Sequence, residues 1–323
     1  MENQRLELLA RIAGLYYEDG LTQSQIAEQT GYSRSAISRL LAEAREQGVV
    51  EIRVHHPLER RQDLEQALLE RLPLKTVRVL KRGLLNHAQM LRRLGALAAP
   101  LVDELIGDHA TVGISWGTGL AELVNALRAR PLTGIHVVQI IGLIGTSELP
   151  EIDNPELTQR LARTLGGRYS ILPAPLLVDS ETTREALRHD YRVQRVLSQA
   201  RHMDVALLGI GAVEPQYSTL VRAGYLSLEQ AAELARAGAV GDVSAIYFDR
   251  FGHIVDIPLT RRIITIDPAA LAAIPNKVGI AGGQAKPLPI LGAVRAGLVN
   301  VLITDDVAAG GVLREVESEG RPV

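Results

Sequence analysis

The sequence predicts two domains. A small all-helical domain of the winged helix-turn-helix type comes first, and an α/β domain with a mostly parallel, Rossmann-like sheet follows. Three observations predict this. Three amphipathic helices, with a glycine turn between the second and third, fill residues 2–48. Beyond Pro73, apolar strands alternate with helices, the pattern of a parallel sheet covered on both faces. The 323-residue chain is also long for a single core. It is 46% apolar but only 3% aromatic, so Leu, Ala, Val and Ile carry the packing.

Along residues 2–18, Leu6, Leu9, Ile12, Ala13 and Tyr16 share one helical face, and Gly20 ends the helix. Thr22 caps a second helix over 22–29, and Gly31 closes the turn behind it. Ser33 caps a third helix, "SRSAISRLLAEAREQG", which Gly48 stops. "VVEIRV" (49–54) then alternates as a short strand, half of a wing. Pro57 breaks that pattern, and 58–72 reads as a connecting helix ending at Pro73. The expected organisation is a DNA-binding domain over 1–56, a connecting helix over 57–73 and an α/β domain over 74–323. Strands are expected at 76–80, 110–114, 135–141, 205–210, 243–248, 263–266, 278–281 and 299–303. Helices are expected at 89–106, 120–128, 155–164, 228–236 and 290–296.

The absence of cysteine excludes disulfides, thiolate zinc sites and a cysteine nucleophile. No apolar run approaches the ~20 residues of a membrane span. The start "MENQRLELLARIAGLYYEDG" is too charged for a signal peptide, so a soluble, cytoplasmic protein is expected. A net charge of −2 selects no partner. No Walker motif, dinucleotide fingerprint or H-E-x-x-H occurs, so neither cofactor nor metal is expected.

In the helical domain, Leu21, Ile26 and Ala27 can pack on Ile37, Leu40 and Leu41. That packing turns Ser33, Arg34, Ser35, Ser38 and Arg39 outward, with Thr22 and Gln23 at the start of the preceding helix. Arginines and short hydroxyls at a helix start suit a DNA major groove and its phosphates. Residues 1–55 hold six Arg and no Lys against eight acidic residues, so DNA reading rests on this helix and not on bulk charge.

"GISWGTGL" (113–120) satisfies G-x-S-x-G, the nucleophile elbow of serine hydrolases. A hydrolase needs several strands and a glycine-rich oxyanion loop upstream, whereas only one convincing strand and no such loop precede Ser115. Of His136, His189, His202 and His253, none sits late beside an obvious acid partner. A binding turn needs less: Gly113, Gly117 and Gly119 admit a ligand close to the backbone, and Ser115 and Thr118 add hydroxyls. "LLGIGAVE" (207–214) and "AGGQAKP" (281–287) are two further strand ends with glycine turns, the latter with Lys286 opening a helix. Asp242, in "AVGDVSAIYFDRFGHIVD", either bonds sugar hydroxyls or caps a turn.

Five collinear segments, "LTQSQIAEQTGYSRSAISRLLAEAREQGVVEIRV", "VGISWGTGL", "DVALLGIGAV", "GAVGDVSAIYFDRFG" and "AGGQAKPLPILGAVRAGLVNVLITDDVAA", give the chain its resemblance to a family. It resembles the SorC-type, DeoR-like sugar-binding transcriptional regulators of bacteria over nearly its whole length. The resemblance implies an effector domain related to sugar-phosphate isomerases and deaminases. It also implies a sugar or phosphosugar effector, and a homodimer or homotetramer on operator DNA. Carried over, Ser115, Trp116, Gly117 and Thr118 would meet the phosphate, and Gly209 and Gly211 would line the pocket. Asp242 would take effector hydroxyls, and Lys286 an anionic or carbonyl-bearing part. One departure is Gly119, where many members carry a second hydroxyl residue, so an unphosphorylated sugar stays open. The expected function is an effector-controlled transcription regulator without catalytic residues. The alternative is an isomerase- or deaminase-like enzyme with an appended DNA-binding module.

Overall fold

The computed structural model describes residues 2–50, 58–144 and 154–319. The chain divides into two compact units, Met1–Pro57 and Leu58–Val323.

In the first unit, α1 (Glu2–Tyr17), α2 (Gln23–Thr30) and α3 (Arg34–Glu46) enclose one core. The caps sit where short hydroxyl side chains can reach free amides. Thr22 accepts from the Gln25 amide, the Gln25 side chain returns the bond, and Gly31 ends α2 at φ +75°. Ser33 accepts from the Ala36 amide at 3.2 Å and starts α3. Leu9, Ile12, Ile26, Ile37, Leu40, Leu41 and Ala44 are buried together, and Arg5 pairs with Glu43 across α1 and α3. From residue 51 on, the expected wing strand lies outside the described residues.

The second unit runs α4 (Gln62–Arg71), β1 (Thr76–Leu80), α5 (His87–Leu105), β2 (Thr111–Ile114), α6 (Thr118–Ala126), β3 (His136–Gln139), α7 (Asn154–Leu165) and β4 (Arg168–Ser170). It continues through α8 (Glu181–His189), α9 (Tyr191–Ala200), β5 (Val205–Ala212), α10 (Thr219–Arg222), α11 (Leu228–Arg236), β6 (Gly241–Val243) and β7 (Ile246–Phe248). It closes with α12 (Pro268–Ala273), β8 (Asn276–Ile280), α13 (Pro287–Arg295), β9 (Val301–Asp305) and α14 (Asp306–Glu319).

Seven strands pair in parallel in the order β1-β9-β8-β5-β2-β3-β4. The period-two alternation of β5 sends Val205 and Leu207 into one core, and Ala206 and Leu208 into the other. On the first of these faces, α5 and α6 cross closely at Gly95. A Cβ there would come within 2.7 Å of the Leu123 amide nitrogen.

Three expectations are corrected. The helix expected over 58–72 is shorter. Its Leu68 and Leu72 are buried, and Leu64 and Ala67 half-buried, against the second unit's own core, so this apolar seam is already occupied. The strand expected over 243–248 is a hairpin, β6–β7, whose turn residues Ser244 and Ala245 take φ +54° and +58°. Residues 263–266 form no strand. They touch Leu177 and Ile141 through isolated bridges only.

Candidate functional site

Strand order reverses between β2 and β5. The chain leads from β2 outward to β3 and β4, then returns to β2's other side and leads out through β8. Beside such a reversal, the loops at the carboxyl ends splay apart and leave a crevice. Here the crevice is a cavity of about 500 Å³, walled by the turns after β2, β5 and β8.

The turn after β2 contributes Trp116, Gly117, Thr118 and Gly119. Gly117 sits at φ +127°, a conformation that L side chains rarely adopt, and starts α6. The first amides of α6 have no partner within the helix, and Gly117, Thr118 and Gly119 at its start line the cavity. Ser115 is fully buried one residue earlier and does not line the cavity. Its hydroxyl has no hydrogen-bond partner among the described residues, and its amide donates to Leu207 O at 3.0 Å.

β5 is longer than its neighbours. Val205–Gly209 pair with β8, and Ile210–Ala212 run on to pair with β6. That overrun places Asp242 directly opposite Gly211 at the cavity wall. Neither β5 glycine is replaceable without movement: a Cβ at Gly209 would meet Trp116 O at 2.8 Å, and one at Gly211 would overlap Asp242 Oδ1. Asp242 Oδ2 accepts the Ala245 amide at 3.0 Å, closing the hairpin turn. Burial pushes the Asp242 carboxyl up to about 6, against the Ala245 hydrogen bond and the Lys286 charge. Opposite in register, Tyr247 is buried with no partner for its hydroxyl among the described residues, and burial raises its pKa well above the ordinary value.

After β8 the chain turns through Gly282 and Gly283 (φ +99°) to Lys286 at the start of α13. Lys286 Nζ donates to Ile210 O at 2.7 Å, and burial brings the ammonium down to about 8 despite the Asp242 charge. The structure therefore brings Trp116, Gly117, Thr118, Gly209, Gly211, Asp242 and Lys286 around one cavity.

Sequence reasoning missed Arg82, His87 and Arg222, which share its wall. Arg82 belongs to the loop between β1 and α5, His87 is the first residue of α5, and Arg222 ends α10. The usable signal was positional: loops leaving the carboxyl ends of parallel strands converge on one edge. Burial, then the charges of Arg82, Lys286 and Arg222, hold His87 below the ordinary imidazole range.

In the first unit, Thr22, Ser33, Arg34, Ser35, Ser38 and Arg39 are exposed and Gln23 half-buried. Ile37, Leu40 and Leu41 on the opposite face of α3 are buried, which leaves the arginine face open. Arg39 Nε reaches Ser35 O at 3.4 Å, and the Ser33 and Ser35 hydroxyls bond at 3.0 Å.

A helix-turn-helix unit joined to a polar cavity at a sheet reversal defines a ligand-responsive DNA-binding protein. Residues 56–314 match the family described as "Putative sugar-binding domain", and residues 10–62 match the MarR family. The chain is 30% identical over 316 residues to the deoxyribonucleoside regulator of Bacillus subtilis strain 168, covering 98% of this chain and 100% of that protein. It is 33% identical over 309 residues to the transcriptional regulator LsrR of Klebsiella pneumoniae, covering 95% and 93%. The crystal structure of the full-length sorbitol operon regulator SorC from Klebsiella pneumoniae matches with a TM-score of 0.73 at 30% identity, covering 95% of this chain and 99% of that one. The chain belongs to the SorC-type family of sugar-binding transcriptional regulators, and its operator binding is under the control of a sugar or sugar-phosphate effector.

Proposed function

We propose that the cavity holds a phosphorylated sugar, and that occupancy decides whether paired first units keep a palindromic operator. One observation carries this reading: the amide-rich start of α6, the Lys286 ammonium and the Asp242 carboxyl meet at three adjacent strand ends. Amides at a helix start and an ammonium suit a phosphate, and a carboxylate suits sugar hydroxyls. Thr118 and the Gly117–Gly119 turn take the phosphate in this reading, with Trp116 beside it. Gly119 supplies an amide but no hydroxyl. Asp242 and Lys286 act in binding and not as a catalytic acid and base, so the protein is no enzyme. Ligand binding favours one conformation of the second unit and shifts its population.

The protein works in the cytoplasm as a homodimer or homotetramer, because two half-sites call for two readers. With Leu68 and Leu72 buried in their own unit, the apolar face of α4 is not the pairing surface. No helix among the described residues is long and apolar enough to cross a membrane.

The test is thermal unfolding with pentose 5-phosphates, hexose 6-phosphates and the same sugars unphosphorylated. A true effector at a hundred times its Kd stabilises the fold by about 2.7 kcal/mol. Stabilisation by free sugars alone would remove the phosphate from this reading.

The DNA half has its own prediction. Arg34→Ala or Arg39→Ala is expected to cost about 1–3 kcal/mol of operator binding where the arginine meets a base, while leaving the fold intact because both side chains are exposed. Footprints unchanged in both variants would show that α3 is not the reader.

A further inference from the structure

We propose that Asp305 is a positioning residue for the response to effector, tying the glycine turn of the cavity to the strap on which the chain enters the second unit. This rests on reading the cavity as the effector site.

The strap is Glu59–Arg61. The second unit begins at Leu58, and the strap lies antiparallel along β1, an edge strand of the sheet. The Lys81 amide donates to Glu59 O at 2.8 Å, and the Arg61 amide to Val79 O at 2.9 Å. Lys81 Nζ meets the Glu59 carboxylate at 2.7 Å. Buried Glu65, on α4, takes Arg60 Nε at 2.9 Å and the Val79 amide at 2.8 Å. The residue after Lys81 is Arg82, on the cavity wall. Its amide donates to Asp306 Oδ1 at 3.2 Å, and its Nη1 lies 3.5 Å from Asp305 Oδ2. Asp305 Oδ1 accepts the Gly283 and Ala308 amides at 3.0 and 2.9 Å. One side chain thus holds the turn after β8, the start of α14 and the guanidinium beside the strap.

Capping α14 does not account for an aspartate here. Asn caps a helix as well as Asp does, without the cost of burying a charge, and Asp305 is fully buried. Its Oδ2 accepts no hydrogen bond among the described residues, although Arg82 faces it. A movement of about half an ångström decides whether such a pair becomes a hydrogen bond. A ligand settling against the Gly283 turn would make or unmake that bond, and Arg82 passes the change to Lys81 and the strap. The turn, the carboxylate and the strap then form one two-state element that effector and DNA both bias.

Two substitutions test this. Asp305→Asn keeps an oxygen for both amides and removes the charge facing Arg82. Arg61→Pro deletes the amide that bonds Val79 O and leaves the cavity lining untouched. The probes are ribose 5-phosphate, glucose 6-phosphate and fructose 6-phosphate, with affinity read by calorimetry and operator binding read with and without the probe. In both variants, probe affinity without DNA is expected to stay within about threefold of the parent. The factor by which the probe changes operator affinity, about 5–150 for coupled sites, is expected to fall toward one. In the parent, the probe is expected to slow amide exchange over residues 58–64 and 76–84, and in Asp305→Asn to leave it unchanged. A merely structural residue would lower thermal stability and probe affinity together and spare the factor. Parent-like coupling in both variants, or exchange over 58–64 that a bound probe does not alter in the parent, would overturn the relay and leave the effector reading standing. If no sugar phosphate binds, the effector reading falls, and the relay with it.

Discussion

Replacing Lys286 by Ala is expected to weaken effector binding ten- to a hundredfold near neutral pH, while the effector-free protein still binds its operator. The substitution removes a charge-assisted hydrogen bond worth about 1.5–3 kcal/mol. It also leaves Asp242 without the cation that partly offsets its burial, so the carboxyl is expected to rise further above 6. The pH dependence follows from the two shifts. Asp242 is raised to about 6, so its favourable contribution to stability is complete below the ordinary aspartate value and is lost as pH rises through about 6. Lys286 is lowered to about 8, so its contribution is present above the ordinary lysine value and is lost as pH falls through about 8. Between about 6 and 8 both are charged and neither contribution is present. An anionic ligand on the ammonium relieves the empty site there. Effector affinity measured by calorimetry is therefore expected to be greatest in that window and to fall toward tenfold per pH unit above about 8. An affinity that is flat from pH 7 to 9.5, or a Lys286→Ala protein that responds normally, would show that the ammonium does not meet the effector.

Local chemistry made part of this site legible, and non-local topology hid the rest. Thr22 and Ser33 could be read as caps because a short hydroxyl and a following apolar run need no information from elsewhere in the chain. Gly209, Gly211 and Lys286 could be read because glycines follow an apolar run in each segment, although the two β5 glycines lie inside the strand and not in a turn after it. The β6–β7 hairpin could not, because Ser244 and Ala245 take left-handed conformations without the Asn or Gly that marks such turns. They are held by one bond within the hairpin, Asp242 Oδ2 accepting from the Ala245 amide, and one from a distant segment, Thr265 Oγ1 donating to Ser244 O at 2.8 Å. The α14 helix was not among the expected helices, and it carries Gly310 and Gly311, residues that disfavour a helix interior. Gly311 is there for packing: a Cβ would press into the Pro287 ring at the start of α13. Arg82, His87 and Arg222 carry no periodicity at all. Only the strand order, which puts β9 beside β8 and β8 beside β5, brings them to one wall.

The same register makes Gly211→Ala the sharper test of how the cavity is built. The new methyl would occupy the position of Asp242 Oδ1, and the hairpin cannot retreat to make room. Ile210–Ala212 are paired with Gly241–Val243, and Gly241 is already closed in, since a Cβ there would meet Gly211 O at 2.7 Å and the Pro289 ring at 2.8 Å. The Asp242 side chain must therefore swing away. It would give up the Ala245 amide and its place in the cavity wall, at the cost of about 1–3 kcal/mol for overpacking a filled site. Effector affinity is expected to fall more than a hundredfold, because the carboxylate is lost and the methyl narrows the cavity at once. Adding Asp242→Ala in the Gly211→Ala background separates the two effects. The clash disappears, so thermal stability is expected to recover most of what the single change lost, while effector binding stays absent. That pattern is a favourable coupling energy between two residues in contact. Recovery of neither property would mean that the glycine serves only the β5 backbone. Normal effector binding by Gly211→Ala would mean that Asp242 is not aimed at the ligand.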